Sequence, residues 1–85
     1  MAVRRVKVGA EVGLHARPAA LFVQAAAQAD GEVTVAKGDS EPVSAKSILA
    51  LMGLDVRHGD EIVITADSED PETVLDTLVE IANAH

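Results

Sequence analysis

With 85 residues, 48% of them hydrophobic, the chain is long enough for one domain, spanning 1–85, and leaves no room for a second. It has no cysteine and no His/Cys cluster, so its core must be stable through packing alone, which suits a reducing, cytoplasmic compartment. Fourteen acids against seven bases give a formal charge of −7, and Phe22 is the one aromatic residue, which together argue against a nucleic-acid partner; no run of about 18 apolar residues occurs, which argues against membrane insertion.

The first element is a strand, because Arg5-Val6-Lys7-Val8 alternates as a half-buried strand does, until the stretch from Gly9 to Gly13 breaks it. A helix follows. Pro18 suits a first helical turn, where its missing N–H is no loss, and Pro18, Phe22, Ala25, Ala26 and Ala29 share one face. Pro18 also disfavours helical geometry at Arg17, so the helix is expected to begin sharply and leave the preceding turn outside its hydrogen-bond ladder. Asp30-Gly31 ends it. Val33 and Val35 alternate with Glu32 and Thr34 in a second strand, Lys37-Gly38-Asp39-Ser40 reads as a hairpin turn, and Glu41-Pro42-Val43 is a short third strand that Pro42 marks as an edge.

Ser47 to Met52 reads as a short second helix, with Ser44 or Ser47 as its N-cap and Gly53 as its stop. Ile62-Val63-Ile64 is a buried fourth strand. Asp70-Pro71-Glu72 opens a last helix, in which Val74, Leu75, Leu78, Ile81 and Ala82 recur at helical spacing. The order β-α-β-β-α-β-α in so short a chain implies an α+β fold, an open-faced two-layer sandwich with helices on one face of a mainly antiparallel sheet of four strands. Nine of the acids lie from Asp55 onward, with Arg57 the one base among them; this makes one end of the chain strongly negative, in keeping with a solvated face.

The chemistry concentrates in Gly13-Leu14-His15-Ala16-Arg17-Pro18-Ala19-Ala20. A histidine on the turn entering a helix lies where unpaired N–H groups and a partial positive charge await a phosphoryl group, and Arg17 adds a cation. Imidazole, with an ordinary pKa of about 6.5, is mostly neutral and nucleophilic at pH 7, and it also leaves readily. A group carrier needs both properties. On residue type alone, however, a histidine before a helix is more often a surface or capping residue, and Arg17 equally suits a surface ion pair with Glu11 or Asp30.

That octapeptide resembles the active-site signature of the HPr family, the histidine-containing phosphocarriers of the phosphoenolpyruvate-dependent sugar phosphotransferase system. Lys46-Ser47-Ile48-Leu49-Ala50-Leu51-Met52-Gly53-Leu54, followed by Gly59, Asp60, Glu61 and Ile62, is similar to the family's other signature. The resemblance implies the sheet order 1-4-2-3 and a stoichiometric carrier rather than an enzyme, needing no cofactor. It implies phosphorylation of His15 on Nδ1, Arg17 steadying the phosphoryl oxygens and Pro18 shaping the turn. Enzyme I would be the donor and IIA domains of sugar permeases the acceptors, with the carrier a monomer.

Ser47 aligns with a serine that a dedicated kinase modifies in some members, which would bring in a serine kinase and phosphatase as partners; its ordinary role is to cap the second helix. Ile48, Leu49, Leu51, Met52 and Leu54 divide between the core and a patch where partners dock, in contacts on the order of 1,000 Å². Val12 departs from the small polar residue of many relatives, and one extra residue falls in the Lys37 to Ser40 hairpin. His58 and His85 read as turn and terminal residues. Three rivals are a non-transferring regulatory module of the same shape, against which His15 argues, a paralogous regulatory relay with other partners, and an unrelated ligand-binding domain, for which no glycine-rich phosphate loop, catalytic dyad or metal spacing is found.

Overall fold

In β4 (Glu61–Asp67) Ile62, Ile64 and Ala66 are buried, and the residues between them face the other way. Strand geometry enforces this alternation, and Val63, expected to be buried with its neighbours, is therefore only half-buried on the opposite face. The computed structural model describes residues 2–9, 16–38 and 40–83. Its elements are β1 (Ala2–Lys7), α1 (Ala16–Ala27), β2 (Glu32–Lys37), β3 (Val43–Ser44), α2 (Ile48–Gly53), β4 and α3 (Pro71–Asn83).

The four strands form one sheet in the order β1-β4-β2-β3, and all three pairings are antiparallel. Ile64 sits at its centre, opposite Arg4 on one side and Val35 on the other. Paired residues point to the same face, so register places Val33 and Val35 beside Ile64 and Ala66. Against them pack Ala19, Phe22 and Ala26 of α1, Leu51 of α2, and Leu75, Leu78 and Ala82 of α3, forming one continuous core. Three helices thus cover one face and leave the other open, as the element order implied.

Several boundaries differ from the sequence expectations, each for a local reason. β1 starts at Ala2 and stops at Lys7; Val8 is instead buried and tied to the loop before β4, its N–H donating to the Asp60 carbonyl at 2.8 Å while its carbonyl accepts from Gly59 at 2.9 Å. β3 is displaced to Val43–Ser44, beyond Pro42, because proline has no N–H to give to a ladder. The hairpin turn forms where expected, Ser40 N–H donating to the Lys37 carbonyl at 2.9 Å with Gly38 at φ 56°; Asp39 lies outside the described residues. β3 is an edge strand, as Pro42 indicated.

α1 begins at Ala16, so Arg17 is helical and Pro18 is its third residue. Helical position three still needs no intrahelical N–H, and proline biases the residue before it without forbidding the α conformation. Gly53 does not stop α2. It is the last helical residue, Leu54 caps the helix at φ −70°, and the left-handed residue is Asp55 at φ 54°, whose N–H donates to the Met52 carbonyl at 3.2 Å. Asparagine and aspartate tolerate this conformation better than other non-glycine residues. α3 opens as expected, with the Asp70 carboxylate accepting from Thr73 N–H at 3.4 Å and from Thr73 Oγ1 at 2.7 Å.

Ion pairs offset five of the nine acids from Asp55 onward. Arg4 reaches Glu72 at 2.6 Å and Asp76 at 2.7 Å, Arg5 reaches Glu61 at 2.9 Å, Lys37 reaches Asp60 at 3.3 Å and Arg57 reaches Asp55 at 3.0 Å. The pair of Arg57 with Asp55 is local, but Arg4, Arg5 and Lys37 come from the N-terminal half onto acids far along the chain, a pairing that sequence order conceals.

Candidate functional site

His15, the central residue of the sequence signature, lies outside the described residues, as do Gly13, Leu14, Val12 and Glu11. The chain on either side of residues 10–15 is firmly held. Before them, Val8 is pinned to the Gly59-Asp60 turn, and Gly9 N–H donates to the Ala82 carbonyl of α3 at 3.1 Å. After them, Ala19 and Phe22 are fully buried and lock α1 onto the sheet.

That anchoring sets the direction of Arg17. With Phe22 facing the core, the helical repeat turns Arg17, Leu21 and Gln24 to solvent, at spacings of four and three. Arg17 has no hydrogen bond or ion pair to another described residue, and Asp30, one of its conceivable partners, instead accepts from the Glu69 N–H at 3.4 Å. Pro18 is half-buried behind it. An exposed guanidinium on the first turn of a helix, held by no other described residue, is placed to meet an incoming anion.

α2 packs against both α1 and β3. Ser47 is its N-cap: its backbone is extended (φ −116°, ψ 114°) and its Oγ accepts from the Ala50 N–H at 3.3 Å. The capping reading therefore holds, and Ser44 instead uses its hydroxyl on the Lys46 N–H at 3.2 Å. Lys46 Nζ donates to the Ala29 carbonyl at 3.0 Å, which ties the approach to α2 onto the end of α1.

The apolar residues of α2 separate cleanly. Ile48 is 39% exposed, Leu49 82% and Met52 44%, whereas Leu51 is fully buried and is a core residue, not a docking one. Leu51 lies one residue before Met52, about 100° around the helix, and so turns from the exposed side into the core. Leu54 is half-buried against the same core and likewise belongs mainly to it. Sequence reasoning missed Leu21, 48% exposed on α1; its signal was the four-residue spacing from Arg17, opposite the Phe22 face. Leu21 and the three exposed residues of α2 lie on two helices that pack together.

The loop joining α2 to β4 is ordered by reciprocal hydrogen bonds. Arg57 N–H donates to Asp60 Oδ2 at 2.9 Å, Asp60 N–H returns to the Arg57 carbonyl at 3.0 Å, and Gly59 supplies a φ of 87°. The Arg57 N–H, with Lys37 adding to it, holds the Asp60 carboxyl below the ordinary carboxylate value. Because this loop carries the backbone bonds to Val8, it also braces the chain leading toward His15. Among the described residues no group of three or more His, Cys, Asp or Glu is placed to hold a metal, and no helix is long and apolar enough to cross a membrane.

The fold and the helix-entry signature together define a class of small phosphocarriers built as open-faced sandwiches, and comparison with known proteins agrees. The profile of the family described as "PTS HPr component phosphorylation site" matches residues 2–84. The chain is 49% identical to the phosphocarrier protein HPr of Streptomyces coelicolor over 81 residues, covering 95% of this chain and 87% of that one. It is 44% identical to the HPr-like protein Crh of Bacillus subtilis over 78 residues, 92% and 91% of the two chains. A crystal structure of HPr from Bacillus anthracis superposes with a TM-score of 0.87 at 40% identity, covering 94% of each chain. One from Thermoanaerobacter tengcongensis gives 0.88 at 36% identity, covering 96% of this chain and 91% of that one. The chain belongs to the HPr family of phosphocarriers.

Proposed function

We propose that the 85 residues act as one cytoplasmic unit that carries a phosphoryl group on His15 within a phosphoenolpyruvate-dependent sugar phosphotransferase system, from enzyme I to IIA domains of sugar permeases. The observation that carries this reading is the Gly13 to Ala20 signature at the head of α1, in a chain that matches the HPr family over nearly its whole length. The Nδ1 lone pair of His15 forms a bond to phosphorus as the bond to the donor's leaving atom breaks. The reverse displacement, with an acceptor as nucleophile, returns the imidazole to its starting state. Charge on the transferring group is spread over its oxygens, and Arg17, exposed and unpaired among the described residues, supplies the compensating cation. One phosphoryl group is taken up per molecule and the phosphorylated protein is itself the substrate of the next transfer, so it acts as a stoichiometric carrier and not as an enzyme.

Docking falls to Leu21, Ile48, Leu49 and Met52, which are exposed on the two packed helices α1 and α2. Ser47, half-buried beside them, is the site at which a serine kinase and phosphatase would regulate docking, since a phosphate adds up to two negative charges there. The Lys46-Ser47-Ile48 match supports this part of the reading.

Intact mass after incubation with phosphoenolpyruvate and enzyme I, for the wild type and for His15→Ala, tests the proposal. One acid-labile phosphoryl group on the wild type and none on His15→Ala is the expected result. No added mass on the wild type overturns it in favour of a non-transferring module.

A further inference from the structure

Among the described residues, the open face of the sheet carries its unpaired charges at opposite ends and in opposite signs. At one end Glu32 of β2 and Asp67 of β4 are direct cross-strand partners, both exposed. Like charges opposite one another destabilise a sheet, yet neither carboxylate has an ion pair or hydrogen bond to another described residue. At the other end Lys7 of β1 is exposed and equally without such a partner; its neighbour Glu61 is taken by Arg5 at 2.9 Å. Between the two ends run Val3, 55% exposed, the half-buried Thr65, Thr34 and Val63, and Arg5, opposite Val63 and paired with Glu61. A shallow depression of about 510 Å³ lies beside the acidic pair, lined by Glu32, Thr34, Pro42, Thr65 and Asp67.

A face with an acidic end, a middle whose one charge, Arg5, is balanced by Glu61, and a basic end is complementary to itself when a second copy is turned by a two-fold axis, the requirement for an isologous contact. We infer that two copies of this chain associate through their open sheet faces, Lys7 of each meeting Glu32 and Asp67 of the other. The contact is a two-sheet sandwich, with the Val3, Val63 and threonine middles facing at a separation of about 10 Å. Strands of six or seven residues at about 3.3 Å each, over three strand spacings of about 4.8 Å, give a patch on the order of 300 Å² per copy. That falls below the size of stable interfaces, so the association is weak and reversible. It also leaves α1 and α2, on the opposite face, accessible to partners in either state.

Sedimentation velocity in about 0.1 M salt, at concentrations up to about 1 mM, tests the inference on three proteins. The wild type is expected to rise from 8.8 kDa toward twice that mass. Lys7→Glu makes both ends acidic, and the double variant Glu32→Lys with Asp67→Lys makes both ends basic, so each alone is expected to stay monomeric. The double variant carries less net charge than the wild type and would associate more if only bulk repulsion mattered. Mixed in equal amounts, the two variants are expected to form a heterodimer, whereas Lys7→Glu mixed with a Lys7→Glu protein that also carries Glu69→Lys and Glu80→Lys, which reverse charge off this face, is not. All substituted side chains are exposed, and a melting curve unchanged within a few degrees verifies folding. A wild type that stays at monomer mass to 1 mM, a dimer that survives in either variant alone (as strand exchange would give), or a mixture that does not associate overturns the inference.

Discussion

Gly31 lies so close to the backbone of Asp67 that a Cβ built on it would overlap the Asp67 carbonyl. The turn after α1 is thereby seated against the end of β4, and Asp30, one residue earlier, adds the hydrogen bond to the Glu69 N–H. No flexible side chain is there to yield, so Gly31→Ala must move one main chain away from the other. Such overpacking against backbone is expected to cost about 3 kcal/mol, read as a lower urea midpoint at unchanged m-value. Gly53→Ala is the contrasting case: it is helical, with open space around the added methyl, and is expected to stabilise by about 0.5 kcal/mol.

Leu51 and Leu49, two positions apart in α2, should respond in opposite ways. Leu51→Ala opens a cavity in the core and is expected to cost about 2–5 kcal/mol of stability. Leu49→Ala, at an 82% exposed position, should leave stability within about 0.5 kcal/mol and instead raise the concentration of enzyme I needed for half-maximal phosphorylation. Thermal melts beside phosphorylation titrations separate the two.

Ser47 permits capping and charge to be varied independently. Ser47→Ala removes the oxygen that accepts from Ala50 N–H and is expected to cost about 1 kcal/mol. Ser47→Asp retains a good capping oxygen but adds charge, so its stability should stay near wild type while phosphoryl transfer from enzyme I slows. Normal transfer in Ser47→Asp would remove the regulatory role.

Arg17→Ala should melt like the wild type, because the side chain is exposed and bonded to no other described residue. Losing one charge-assisted contact to a transferring phosphoryl group is expected to slow transfer on the order of 100-fold. Rapid-quench kinetics with phosphorylated enzyme I measures this, and an unchanged rate constant would leave Arg17 no part in the chemistry.

Asp60 gives a pH dependence with a defined sign. Its carboxyl titrates lower in the folded protein, held first by the Arg57 N–H and then by Lys37. Its contribution to stability is therefore present above the unfolded-state value, about 3.9, and is lost as pH falls through that value toward the lower folded one. Asp60→Asn keeps an acceptor for Arg57 but not the charge, so its urea midpoint should fall less steeply below about pH 4 than that of the wild type.

The sequence by itself determined the parts of this protein that depend on local periodicity. Alternation in Glu32 to Val35, the helical recurrence of Leu75, Leu78 and Ala82, the Asp70-Pro71 helix start and the edge position marked by Pro42 were all legible, because each is written within a few residues. The Gly13 to Ala20 signature was legible in the same way, and the sheet order 1-4-2-3 came from family likeness, not from any pattern along the chain. Tertiary structure alone decided which face of α2 is inward, so that Leu51 is core while Leu49 is exposed, and that the face of β4 carrying Val63 is the one no helix covers. It also decided that Arg4 would neutralise Glu72 and Asp76, and that Lys7 would stand across one sheet face from Glu32 and Asp67. Backbone spacing fixes how often a side chain returns to the same side, but what waits on that side comes from residues distant in sequence.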